Sequence, residues 1–236
     1  MMAGMTLADK VTLARLWLAP VIVVAYLALP IEHSLCFWAV GLLCGLAEFS
    51  DYLDGKIARS RKEVSDFGKL ADPFCDVFYR LSVFFVLLLP AGGQGYPVPI
   101  ELAHDTTTYA IKPLVFAVGR DEASRIVLGA GLAPWLPVLL MVLRELMAGA
   151  LRSMAASQGH VLAARWPGKL KAWLQGVALI TICAFPAVWF ELAPWHLTYA
   201  YWACWVCAIV SVLSMIEYLI TNRAILAQLM QRKTLP

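Results

Sequence analysis

The stretch DYLDGKIARSRKEVSDFGKLADPFCD, Asp51 to Asp76, governs how the rest of the chain is read. On a helix, Asp51, Asp54, Gly55 and Ala58 stand at i, i+3, i+4 and i+7, which gathers two carboxylates and two minimal side chains on one face. Farther on, Gly68, Asp72, Asp76 and Arg80 recur every four residues, again on one face. A hairpin of two such helices aims all four aspartates into one pocket. The basic residues among them, Lys56, Arg59, Arg61, Lys62 and Lys69, offer the plainer reading of a solvated charged loop, and Lys62 with Glu63 fits it. The aspartates do not, because a solvated loop requires no helical phasing on both sides.

Outward from this stretch the chain is strongly apolar. Hydrophobic residues make up 61% of the 236 and charged residues 15%, where soluble domains run near half and a quarter. Apolar runs of bilayer-crossing length fall at about 13–30, 35–58, 69–90, 134–155, 170–190 and 197–220. The expected fold is therefore all-α and polytopic, with six transmembrane helices in a single domain over 1–236. Leu7, Val11 and Ala14 at helical spacing beside Asp9, Lys10 and Arg15 predict a short N-terminal interfacial helix over residues 5–14. Several spans follow the first run and no A-x-A site does, so it reads as a retained helix rather than a signal peptide.

Six spans put both termini on one side. With that side cytoplasmic, the outer face holds only Lys112, Arg120 and Arg125, while Arg80 and Arg144 lie within spans and the other fourteen of nineteen Lys and Arg residues face inward. The long outer segment 91–132 carries Gly92, Gly93, Gly95, Pro97 and Pro99 and reads as a loop able to lie on the membrane surface. His104 between Glu101 and Asp105 fits a solvated loop better than a metal site. The six cysteines sit in apolar runs and predict no disulfide framework; Cys204 and Cys207, with no ligand partners nearby, read as helix packing. Gly41 and Gly45 form a G-x-x-x-G suited to packing within the bundle. A net charge of +3 without a basic stripe gives no case for nucleic acid.

Ionised side chains cost roughly 2.5–3.5 kcal/mol each at the centre of a membrane helix, so four acids of one sign require compensating charge. Clustered carboxylates suit magnesium, manganese or calcium, because the isolated Cys75 is the only softer ligand close by. Magnesium commonly keeps phosphate among its ligands, which points to a phosphate-bearing substrate. Gly55, Ala58 and Gly68 let a flat or bulky ligand approach the backbone. A membrane cation transporter also uses carboxylates in helices, but commonly near the midplane rather than at the boundary.

The eight positions Asp51, Asp54, Gly55, Ala58, Arg59, Gly68, Asp72 and Asp76 fill the pattern D-x2-D-G-x2-A-R-x8-G-x3-D-x3-D, and the chain resembles the CDP-alcohol phosphotransferase family on that account. Thr12 and Arg15, then Arg144 and Glu145, then GKLKAWLQ from Gly168 to Gln175 extend the likeness toward the phosphatidylglycerophosphate synthase branch. Ala172 stands where that branch has threonine, Val77 where a lysine is common, and the loop 91–132 is longer than usual. The resemblance implies transfer of a phosphatidyl group from CDP-diacylglycerol to glycerol 3-phosphate in a bacterial plasma membrane, with the site facing the cytoplasm, by a homodimer. It implies that Asp51, Asp54 and Asp72 bind magnesium or manganese, with Asp76 as further ligand and general base. Gly55, Ala58 and Gly68 would accommodate the cytidine end of the donor, and Arg59 would contact phosphate or brace the acidic site.

An anionic acceptor needs a second basic group. Arg144 near the middle of the fourth span, Lys169 and Lys171 at the start of the fifth, and Arg152 are the expected ligands of the acceptor phosphate. The competing readings are an ion pair of Arg144 with Glu145 or Glu48, and positive-inside roles for Lys169 and Lys171. Phosphatidylglycerol, inositol phosphate or serine would be alternative acceptors for the same chemistry.

Overall fold

The computed structural model describes residues 7–29, 35–61, 66–89, 118–120, 126–128, 131–157, 166–189, 194–223 and 225. Among them are six helices: α1 (Leu7–Ala28), α2 (Leu35–Arg61), α3 (Asp66–Val86), α4 (Trp135–Ser157), α5 (Trp166–Val188) and α6 (Pro194–Thr221). Proline helps to open the last three. Pro137, Pro167 and Pro194 each lie in a first turn, where the missing N–H has no intrahelical carbonyl to serve.

The helices turn small, aliphatic and aromatic residues inward at three- and four-residue spacing. Ala19, Ile22 and Tyr26 of α1, Phe37, Val40, Cys44 and Ala47 of α2, and Leu179, Ile182 and Cys183 of α5 meet in one core. Helix α1 packs on α2 and α3, α2 on α5, α5 on α6, and α6 on α4. The small residues let backbones approach, which matters most where lipid tails are as apolar as the core. Gly41 is one such point: a Cβ there would lie 3.5 Å from the Ala184 backbone. Gly45, expected to share that role, faces open space. All six cysteines are free and buried.

Buried hydroxyls tie the bundle crosswise. Tyr79 donates to the Cys44 carbonyl at 3.3 Å and Tyr26 to the Leu89 carbonyl at 3.1 Å. Beyond α3, the Ala133 amide donates to the Leu87 carbonyl at 2.9 Å. Gly131 permits that return, since a Cβ there would fall 2.3 Å from the backbone carbonyl of Leu88.

The exterior is apolar as well. Trp17 and Val24 of α1, Leu42 and Phe49 of α2, Leu146 of α4 and Trp202, Ile209, Leu213 and Ile220 of α6 are all exposed. An exterior of this kind is consistent with a membrane protein. Among the described residues two segments, Trp166–Val188 and Trp195–Thr221, are long and apolar enough to cross a bilayer on length and composition alone. The charged ends of α2 and α3 and the Arg144–Glu145 step in α4 dilute the other runs.

Two expectations are corrected. The chain does not form a separate interfacial helix over 5–14: from Leu7 onward it is one continuous α1, because no glycine or proline interrupts the run before Pro20. Nor is segment 91–132 wholly loop, although among the described residues the bundle itself is all-α as expected. Strands β1 (Val118–Arg120) and β2 (Ile126–Leu128) pair antiparallel, Val118 opposite Leu128, as β-branched residues favour. His104, Glu101 and Asp105 lie outside the described residues.

Candidate active site

The signature spans the last turns of α2 and the first of α3, both helical as the phasing predicts. Asp51, Asp54, Gly55, Ala58 and Arg59 lie on α2, and Gly68, Asp72 and Asp76 on α3. Asp51 and Asp76 belong to the described side chains; those of Asp54, Ala58, Arg59 and Asp72 do not.

Asp51 and Asp76 are brought together by Arg15. Its Nη1 lies 3.2 Å from Asp51 Oδ1 and also donates to Asp76 Oδ1. Arg15 is 1% exposed, so this guanidinium is a buried positive charge set between two carboxylates from two helices. Thr12, one turn earlier on α1, is buried on the same face. The sequence places Thr12 and Arg15 in a family pattern, but spacing alone does not reveal that Arg15 reaches the aspartates.

Arg80 flanks the other side of Asp76. Its Nε and Nη2 donate to the two oxygens of Glu48 at 3.1 and 2.9 Å, and its Nη1 stands 3.9 Å from Asp76 Oδ2. Glu48 lies against Gly176 of α5. A row thus runs Asp51, Arg15, Asp76, Arg80, Glu48, in which the two arginines are buried and the three carboxylates partly exposed. Its described members carry three negative and two positive charges, with Asp54 and Asp72 on the same helices.

Convergence of Asp51 and Asp76 on one nitrogen gives the fit for a cation: one carboxylate oxygen from each half of the signature reaches a single positive centre, Arg15 Nη1. Among the described residues no three His, Cys, Asp or Glu side chains form a metal-holding group. Asp54 and Asp72 are the positions that would add to the pair.

A second buried cluster lies across α4, α5 and α6. Glu145 accepts from Arg144 Nη1 at 3.1 and 3.2 Å and from Lys171 Nζ. Arg144 Nε also donates to Ser214 Oγ at 3.3 Å, and Gln175 donates to Ser211 at 3.4 Å. Arg144 is therefore ion-paired with Glu145, as the competing sequence reading has it, and not with Glu48. Lys171 is buried while Lys169 and Arg152 are exposed, Arg152 close enough for its charge to act on Glu145. Two buried cations share one carboxylate here, which leaves positive charge for an anion.

The profile of the CDP-alcohol phosphatidyltransferase family matches residues 5–221. The chain belongs to that family and is an enzyme of its type, a phosphatidyltransferase. Among its relatives is the CDP-diacylglycerol–glycerol-3-phosphate 3-phosphatidyltransferase of Bacillus subtilis, 28% identical over 186 residues, 73% of this chain and 74% of the relative. The protein of the same name from Rickettsia felis is 34% identical over 99 residues, 42% of this chain and 53% of the relative. The Arabidopsis thaliana CDP-diacylglycerol–glycerol-3-phosphate 3-phosphatidyltransferase 2 is 28% identical over 189 residues, 76% of this chain and 64% of the relative.

Proposed function

We propose that this phosphatidyltransferase moves the phosphatidyl group of CDP-diacylglycerol onto glycerol 3-phosphate, releasing CMP. The observation that carries the reading is the convergence of Asp51 and Asp76 on one cationic centre, beside a second buried cluster with positive charge to spare. The names of the relatives support the donor and the acceptor.

Asp51, Asp54, Asp72 and Asp76 would hold magnesium or manganese. Such an ion supplies charge neutralisation on the donor diphosphate and on the departing CMP. Asp76 accepts the proton of the acceptor hydroxyl as that oxygen bonds to the lipid-side phosphorus, while the bond from phosphorus to the bridging oxygen breaks and CMP leaves. Gly55, Ala58 and Gly68 would give the cytidine end access to the backbone, and Arg59 would contact phosphate or brace the acidic site. Arg144 and Lys171, with Lys169 and Arg152 at the margin, bind the acceptor phosphate by charge-assisted hydrogen bonds.

The same reading takes residues 1–236 as one domain with six spans, both termini and the active site cytoplasmic, in a bacterial plasma membrane. Every helix has at least 21 residues, which at about 1.5 Å per residue matches a hydrocarbon core of about 30 Å. The Lys and Arg asymmetry supports the orientation. The homodimer rests on the family resemblance alone.

The deciding assay is CMP release from CDP-diacylglycerol by purified enzyme with magnesium or manganese and a panel of acceptors. Glycerol 3-phosphate should be used well ahead of phosphatidylglycerol, inositol phosphate and serine. Preference for another acceptor would overturn that assignment, and cation flux without CMP would overturn the reaction.

A further inference from the structure

We infer that Glu48, Arg80 and Gly176 form a brace that positions Asp76, with Gly176 as the seat that lets Glu48 hold Arg80 against it. The inference rests on the reading of Asp76 as the base. Three observations carry it.

Arg80 is held by one edge of its guanidinium and turns the remaining nitrogen toward Asp76. Two nitrogens grip the Glu48 carboxylate in a forked pair, and the third faces Asp76 Oδ2 at 3.9 Å. A planar, forked pair fixes the plane of the guanidinium as a single point charge cannot, so the direction of the third nitrogen is set as well.

Glu48 in turn is seated against α5. It projects from α2 onto α5, where a Cβ on Gly176 would come within 2.5 Å of Glu48 Oε2 and 2.6 Å of its Cδ. Any side chain at 176 therefore competes with the carboxylate for its place. Arg80, one turn after Asp76 on α3, then loses its anchor and Asp76 its neighbour on that side. Asp76 is placed between two cations, Arg15 from α1 and Arg80 from α3, and the brace fixes the second.

Gly176 also stands one residue after Gln175 and five after Lys171 on α5. The helix that presents Lys171 to Glu145 thus carries the seat for Glu48. Glu48 and Gly176 are positioning residues: neither is placed against substrate.

The test is a kinetic split combined with a suppressor, in the full-length enzyme in detergent or vesicles. Gly176→Ala should lower kcat by roughly 10²-fold, the scale expected when a reacting group is displaced by about 1 Å. The KM for the acceptor should stay within about threefold, because the acceptor cluster is untouched. Shortening the displaced side chain should relieve the collision, so Glu48→Asp added to Gly176→Ala should recover at least about tenfold in kcat. Glu48→Gln, which keeps the shape and removes the charge, should lose kcat without any collision. Should Gly176→Ala fail to accumulate as folded protein, Glu48→Gln and Arg80→Lys decide the matter alone.

Wild-type kcat in Glu48→Gln overturns the brace, as does a loss confined to acceptor KM or a folded Gly176→Ala that Glu48→Asp does not improve. Failure of the functional reading looks different. The wild-type enzyme would then release no CMP with glycerol 3-phosphate, and the same variant ratios would be taken with whichever acceptor it does use.

Discussion

Arg15 on α1 and Asp76 on α3, 61 positions apart in the chain, are joined side chain to side chain, and the same guanidinium nitrogen reaches Asp51 on α2. The contact stitches three helices at the one place where the signature concentrates negative charge. Two carboxylates that close repel each other, and a buried cation offsets that repulsion.

Replacing Arg15 by Gln removes the offset and keeps much of the side-chain volume. Metal-free enzyme should then melt at least about 3 °C lower than wild type, the shift that about 1 kcal/mol produces in a chain of this size. Magnesium or manganese binds the folded form and should narrow the gap. Melting curves in EDTA and in excess metal check this, and identical curves for variant and wild type would count against the shared cation site.

Asp76→Asn keeps the shape of the side chain and abolishes its basicity. Turnover should fall by roughly 10²–10⁴-fold, the usual contribution of a positioned proton acceptor. Binding of CDP-diacylglycerol, followed by equilibrium titration, should persist. Normal CMP release from this variant would reject Asp76 as the base.

Arg144→Ala probes the second cluster. Loss of one charge-assisted hydrogen bond to phosphate costs about 1.5–3 kcal/mol, so the KM for glycerol 3-phosphate should rise about tenfold or more. Lys171→Ala should act in the same direction, and exposed Lys169 less. An unchanged KM in Arg144→Ala would leave that side chain serving only Glu145 and Ser214.

Removal of divalent ions with EDTA should stop CMP release completely, and magnesium or manganese should restore it. Activity that survives exhaustive chelation would dismiss the metal assignment for Asp51, Asp54, Asp72 and Asp76.

Gly131→Ala tests the fold away from the chemistry. A Cβ there meets the carbonyl of Leu88 at 2.3 Å, and backbone cannot step aside as a flexible side chain does. The expected cost is about 1–3 kcal/mol, typical of overpacking, read as a lower melting temperature. Turnover per folded molecule should hold, and a wild-type melting temperature would mean that the 131–133 return adjusts freely.

Much of this architecture was legible in the primary structure because apolar runs announce long helices directly. The run 134–155 anticipates Trp135–Ser157, and 170–190 anticipates Trp166–Val188. Helical phasing also puts Asp51 and Asp76 on the correct elements. Periodicity, however, reports which residues share a face of one helix and not which faces meet. That is why the reach of Arg15 to Asp51 and Asp76, and the seating of Glu48 on Gly176, emerge only from the packed bundle. Arg144 illustrates a different limit: a buried guanidinium needs a partner, but sequence offers Glu145 and Glu48 equally, and Arg80 has taken Glu48. The strands 118–120 and 126–128 are three residues each, too short to stand out against the surrounding glycines and charges.

The outward-facing aromatics near the acidic row bear on how such an enzyme meets its donor. Phe49, Phe74 and Phe78 are exposed within a few positions of Asp51 and Asp76, and Phe74 and Phe78 stack at 6.1 Å. With CDP-diacylglycerol as donor, as proposed above, a lipid whose tails run along these rings never has to leave its leaflet to be used. The quantity that sets the rate is then the donor's share of the surrounding lipid, so diluting the bilayer with inert phospholipid slows the enzyme even when the amount of donor in the tube is unchanged.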